Sequence, residues 1–243
     1  MNLQTTKLEE QSRITKSLIF PALFVLLLWI VKLLEKNSSI TFHHFGIFPR
    51  TLDGLIGIIG SPLVHADFSH LINNSIPLLI LGSCLFYFYK DIALKVFILI
   101  WLIGNIWLWS IARPSYHIGA SGIVYGLVCF LFLSGILRKN KALMVVSLLV
   151  TFLYGSLVWG VLPIDYHISF EGHLMGSLAG ILLAVYYRER GPQKEEYIWE
   201  EEEAQEAEEV IIDFQEMDSE IKPQENIEIK LDHKIVCHYK PKE

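Results

Sequence analysis

The sequence predicts an all-α polytopic membrane protein: a bundle of six transmembrane helices followed by an acidic cytoplasmic tail. Three observations carry this. Of the 243 residues, 52% are hydrophobic and the mean hydropathy is +0.41, too apolar for an ordinary soluble domain. Charge is divided unevenly. Residues 1–190 hold 14 Lys+Arg and 9 Asp+Glu, a net of +5, whereas residues 191–243 hold 6 Lys and 17 Asp+Glu, a net of −11. Finally, six segments meet or nearly meet the length of about 17–25 mostly apolar residues that a helix needs to cross the hydrocarbon core.

The six segments are about Ser17–Leu34, Leu71–Tyr89, Ile92–Ile111, Ser121–Leu137, Ala142–Leu162 and His173–Tyr187. They define three regions: a cytoplasmic N-terminal segment (1–16), a six-span domain (17–190) and the acidic tail (191–243). The first run has no small-residue cleavage site after it and is long enough to stay in the bilayer, so it reads as an anchor. Between the first two spans, Leu52–Ile59 is apolar but too short to span. It is expected to form a helix in the membrane interface. Glu195–Glu209 reads as a solvated helix or linker, and 227–239 as a β-prone hairpin. Cys84, Cys129 and Cys237 show neither a disulfide framework nor zinc spacing.

Loop charge sets the orientation. Ten positive residues fall on one face: Lys7, Arg13, Lys16, Lys90, Lys95, Arg138, Lys139, Lys141, Arg188 and Arg190. The other face carries Lys36, Arg50 and Arg113, with Lys32 near the end of the first span. The positive-inside rule therefore places both termini in the cytoplasm; the membrane expected is a cell inner (plasma) membrane.

Polar groups inside a membrane are costly and usually face an interior. Here they cluster at three helix ends: His65-x4-His70-x3-Asn74 opens the second span, Gly119-Ala120-Ser121-Gly122 the fourth and Gly172-His173-Leu174-Met175-Gly176 the sixth. Counting from the basic anchors at 1.5 Å per residue puts Ser121, His173 and Asn74 at roughly 25, 22 and 24 Å above the cytoplasmic edge. A hydroxyl, an imidazole and an amide thus share one level, with His70 a turn higher. A serine hydroxyl is a weak nucleophile until a base takes its proton, and His173 has the ordinary pKa for that. His70, Asn74 and the Ser121 backbone N–H could donate to an oxyanion, and a helix start favours negative charge.

These three motifs, in this order and on these spans, resemble the rhomboid intramembrane serine proteases over about residues 17–190. The resemblance implies a six-span bundle and hydrolysis of peptide bonds in transmembrane protein substrates, without cofactor, metal, nucleotide or nucleic acid. It assigns Ser121 and His173 to the catalytic dyad, His70 and Asn74 to the oxyanion side, Gly119 to the G-x-S-G motif, His65 to a loop-stabilising role and Tyr125 to a ring packed on the histidine. Two departures stand out. Ser61 occupies a position where many members have a further histidine, and the first loop lacks the usual Trp-Arg pair, leaving Arg50 as the nearest candidate.

Other readings of the same residues compete. A serine between glycines in an apolar helix is usually a packing device, and Gly172, Gly176 and Gly180 form a small-residue face for close helix contact in any case. Three histidines could bind a metal, but no H-E-x-x-H-like motif is present. A transporter would show paired repeats or broken helices. Asn105, beside Gly104, is expected to make an interhelical hydrogen bond. An inactive rhomboid-like binder of membrane proteins would be expected to lack the serine or the histidine.

Overall fold

The computed structural model describes residues 3–38, 40–153, 160–163 and 168–191. The chain divides into two units, Met1–Lys194 and Glu195–Glu243. All of the second unit lies outside the described residues, as does the acidic tail from Pro192 onward, with the hairpin expected at 227–239.

Among the described residues the architecture is entirely helical. The elements are α1 (Leu3–Asn37), α2 (Gly57–Gly60), α3 (Phe68–Phe88), α4 (Ala93–Ile111), α5 (Ser121–Leu137), α6 (Lys141–Leu153) and α7 (Phe170–Tyr186). Short 3-10 turns, Phe42–Phe45, Asp53–Ile56 and Ser61–Leu63, flank α2. The interfacial segment expected at Leu52–Ile59 is therefore a string of short helical turns. Three helical stretches among the described residues are long and apolar enough to cross a membrane: Glu10–Asn37, Phe68–Phe88 and Ala93–Ile111. The helices α5, α6 and α7 are shorter apolar ones.

Local chemistry sets the boundaries that matter. Asp67 caps α3, its carboxylate accepting the His70 N–H at 2.7 Å. Ser169 caps α7 by accepting the Gly172 N–H at 3.2 Å. That cap starts the last helix at Phe170, three residues before the expected His173. The first helix likewise begins far ahead of the apolar run, because nothing between Leu3 and Ser17 breaks a helix.

The bundle packs around Leu28, Leu71, Leu78, Leu81, Phe97, Ile100, Leu127 and Phe130, all buried. Its opposite surface is apolar too: Leu18, Ile19, Leu23, Leu26, Ile106, Leu148, Phe152 and Leu182 are all exposed. An apolar perimeter around an apolar core suits a helix bundle in lipid.

The tightest helix pair is α5 with α7. A Cβ on Gly176 would collide with the Gly122 carbonyl, and one on Gly180 with the Gly126 carbonyl. Only glycine lets the two backbones approach this closely. Gly104 of α4 lies against the same face of α7, where a Cβ would stand 3.4 Å from the Gly176 Cα. Ser121 at the start of α5 and His173 in the first turn of α7 are brought together by this contact.

Candidate active site

Ser121 Oγ lies 2.8 Å from His173 Nε2. The other ring nitrogen, Nδ1, lies 2.8 Å from the carbonyl oxygen of Gly160. A carbonyl only accepts, so Nδ1 carries the proton and donates. Nε2 is then the unprotonated nitrogen and accepts the Ser121 hydroxyl. The imidazole of His173 is thus oriented by a main-chain carbonyl.

The Tyr125 ring, one helical turn after Ser121, stacks on His173 with centroids 4.1 Å apart and planes at 10°. His173 is 8% exposed. Its ring is therefore held on one face by Tyr125, at one edge by Gly160 and at the other by Ser121.

The third wall comes from α3. Gly119 has φ +102°, a conformation that favours glycine. A Cβ there would meet His70 Cε1 at 2.6 Å and Nε2 at 2.7 Å, and Asn74 Nδ2 at 3.5 Å. The α3 groups thus reach the backbone just ahead of Ser121. Asn74 is 4% exposed, and its Nδ2 has no hydrogen-bond partner among the described residues. A buried amide donor left unpaired costs free energy, and such a group is often kept for function. It stands beside the N-terminus of α5, where backbone N–H groups lack helical acceptors.

The connection before Ser121 is pinned from the first loop. The Gly119 N–H donates to Ser61 O at 2.8 Å, and the Ala120 N–H points at His65 Nε2, 3.5 Å away. His65 is 1% exposed, and burial pushes its pKa down to about 3, with His70 and Lys32 adding to the effect. Lys32 holds the same turn by donating to His65 O (2.7 Å) and Ala66 O (2.9 Å) and pairing with Glu35 at 2.8 Å. A small cavity of about 20 Å³ opens beside Ser121, between Ser61, Asn105 and Gly119. It is large enough for one water.

The seven residues singled out from sequence, Ser121, His173, His70, Asn74, Gly119, Tyr125 and His65, all lie in this one region. Sequence reasoning missed Gly160, because a backbone carbonyl in a connecting segment leaves no side-chain signature. It also missed how the first loop is held. Trp109 of α4 donates to Thr51 O at 3.0 Å, the Arg50 N–H donates to Trp109 O at 3.0 Å, and Arg50 Nη1 reaches Ala112 O at 2.7 Å. The tryptophan that ties this loop down belongs to α4, not to the loop itself. Asn105 of α4 makes an interhelical hydrogen bond, as expected, but to the short helix α2: it donates to Ile58 O at 2.8 Å and also to Ser61 Oγ at 3.2 Å.

Long apolar helices with an apolar perimeter and a polar cluster at one end of the bundle define an integral membrane protein. Residues 53–190 match the rhomboid domain. An uncharacterized protein of Mycobacterium tuberculosis (strain ATCC 25618 / H37Rv) is 35% identical over 170 residues, covering 66% of this chain and 71% of that one. One of Mycobacterium leprae is 31% identical over 170 residues, 66% of this chain and 67% of its own. A protein of Acanthamoeba polyphaga mimivirus, named as a rhomboid protein, is 29% identical over 150 residues, 58% of this chain and 80% of its own. The chain belongs to the rhomboid family.

Proposed function

We propose that this chain is an intramembrane serine endopeptidase that hydrolyses peptide bonds in or near the transmembrane segments of membrane proteins. The observation that carries this reading is the 2.8 Å hydrogen bond from Ser121 to a His173 whose protonated nitrogen is committed to Gly160. In that tautomer Nε2 takes the serine proton as Oγ attacks the scissile carbonyl. The oxyanion of the tetrahedral intermediate faces the Asn74 amide, His70 and the backbone N–H of Ser121. His173 returns the proton to the leaving amine, which frees the C-terminal fragment and leaves an ester on Ser121. Water, activated by the same base, then hydrolyses that ester. The chemistry needs no metal or nucleotide.

In this reading α1, α3, α4, α5, α6 and α7 are six spans, both termini are cytoplasmic, and the site lies below the opposite surface of a plasma membrane. Six spans are supported by the pairing of the shorter helices with the long ones around one core. Substrates are single-span proteins cut near their outer end, where water and the scissile bond can meet. Segments weakened by small residues are favoured, because only backbone released from helical hydrogen bonding can reach a serine.

The test is labelling of membranes with a serine-directed fluorophosphonate, native chain against Ser121→Ala. Label that requires Ser121 is expected. Equal label in both, or none in well-folded native protein, would remove the protease reading and leave an inactive membrane-protein binder.

A further inference from the structure

A second serine–histidine pair stands beside the first, with the two residue types exchanged between the same elements. His117 lies four residues before Ser121, and Ser169 lies four residues before His173. His117 Nδ1 is 2.6 Å from Ser169 Oγ, and His117 Nε2 is 3.1 Å from the Arg113 carbonyl, with Ser115 Oγ at 3.4 Å. The protons are fixed by these partners. The Arg113 carbonyl can only accept, so Nε2 carries the hydrogen and Nδ1 accepts from the Ser169 hydroxyl. The Ser169 oxygen remains free to accept the Gly172 N–H as the α7 cap. His117 is 2% exposed, and burial lowers its pKa, in keeping with a neutral ring.

The pair is anchored at both ends. The His117 backbone exchanges two 2.9 Å hydrogen bonds with Ile47, donating to its carbonyl and accepting from its N–H. A parallel tie links the same two segments: Arg113 Nε lies 3.4 Å from Glu171 Oε1, and Arg113 Nη2 donates to Ile168 O at 2.8 Å. The dyad therefore sits between two couplings of α5 to α7. On one side is the backbone contact of Gly122 with Gly176. On the other are these polar ties, one turn before each dyad residue.

We infer that His117 and Ser169 are a positioning pair that sets the distance between Ser121 and His173 from the start of both helices. This deepens the protease reading and rests on it. Neither side chain takes part in proton transfer at the scissile bond. Loss of the pair lets the first turn of α7 drift, and the base with it, while the nucleophile stays intact.

The experiment uses the full chain in detergent and a fluorescent fluorophosphonate at several concentrations, with folded protein quantified in parallel. Ser121→Ala must abolish label; label independent of Ser121 would end the protease reading itself, an outcome distinct from any change in rate among the positioning variants. His117→Ala and Ser169→Ala should each lower the maximal labelling rate per folded molecule by about tenfold, the scale of a sub-ångström misplacement, at unchanged half-saturating probe. The double variant should be no slower than the slower single one. His117→Asn, whose amide oxygen can accept from Ser169 in place of Nδ1, should recover most of the loss. Ser169→Ala removes one oxygen only, so the inference stays testable even if His117→Ala fails to fold. Native labelling rates in folded Ser169→Ala, multiplicative losses in the double variant, or no recovery in His117→Asn would overturn the inference.

Discussion

Tyr125 lies flat on His173, ring to ring, with 4.1 Å between centroids. Stacked rings of this kind are worth ~0.5–1.5 kcal/mol beyond the area they bury. The contact fixes the plane of the imidazole, which the hydrogen bonds to Ser121 and Gly160 alone would leave free to rock about the line between them. Tyr125→Ala should therefore slow turnover by about 2-fold to 13-fold, the rate equivalent of that energy. Tyr125→Phe keeps the stack and should retain most of the activity. Turnover per folded molecule on a model transmembrane substrate checks this; equal losses in both variants would point to the hydroxyl instead.

Asn74 and His70 converge on Gly119 from the same helix. Donors placed where charge develops are worth about 10²–10³ in rate each. Asn74→Ala should slow turnover by that factor while leaving the melting temperature nearly unchanged, because its Nδ2 has no partner to lose among the described residues. His70→Ala should act in the same direction, and the double variant should cost less than the product if both serve one oxyanion. Melting temperature measured beside turnover separates this from simple packing loss, which would lower stability and spare the specific activity of the folded fraction.

The α5–α7 contact should tolerate no added carbon. In Gly176→Ala the new methyl meets the Gly122 backbone, which cannot swing aside as a flexible side chain would. Overpacking of this kind costs ~1–3 kcal/mol. A drop of about 5 °C or more in melting temperature is expected, together with loss of Ser121 labelling as the two helices part. Leu182→Ala, at an exposed position on the same helix, is the control and should change little.

Stability should fall in mild acid, and His65 should be one cause. Burial pushes its pKa down to about 3, against about 6.5 for the side chain in an unfolded chain. Between those values the unfolded state binds a proton that the folded state refuses. The stability of the neutral, buried ring is thus fully present above about 6.5 and is lost progressively as pH falls toward 3. Thermal melts in detergent from pH 8 to pH 4 should show this slope. It should be shallower in His65→Gln, and an unchanged slope there would remove His65 as a source.

Much of this arrangement was legible in the sequence, for a physical reason. Polar residues are rare inside apolar runs, so Ser121, His173, His70 and Asn74 stood out, and counting residues from Arg138, Arg188 and Lys90 put three of them at one depth. The glycine spacing of 172, 176 and 180 announced a close helix contact, but Gly122 and Gly126 emerged as its partners only when the helices were paired in space. Main-chain partners left no signal. Neither Gly160 nor the carbonyls held by Lys32 can be recognised from residue type. The ties His117–Ser169 and Trp109–Thr51 join segments more than fifty residues apart, and no periodicity connects them. The three-residue shift at the start of α7 came from reading His173 as the first helical residue when Ser169 was available as a cap.

The Gly160 carbonyl has a consequence for heredity. Where a carboxylate side chain orients the histidine of a hydrolase, one base change can delete it and leave a damaged enzyme behind. Here the orienting oxygen belongs to the peptide unit itself, and every amino acid at position 160 would still provide one. Mutational scanning will register position 160 only through the shape of its loop and will be blind to the atom that matters. Exchange of the amide that contains this carbonyl for an ester, which weakens the oxygen as an acceptor without altering any side chain, is the substitution that would reveal it. No single-codon change can delete this oxygen; the codons open to loss are those of side chains such as Ser121 and His173 and of the glycines packed between α5 and α7.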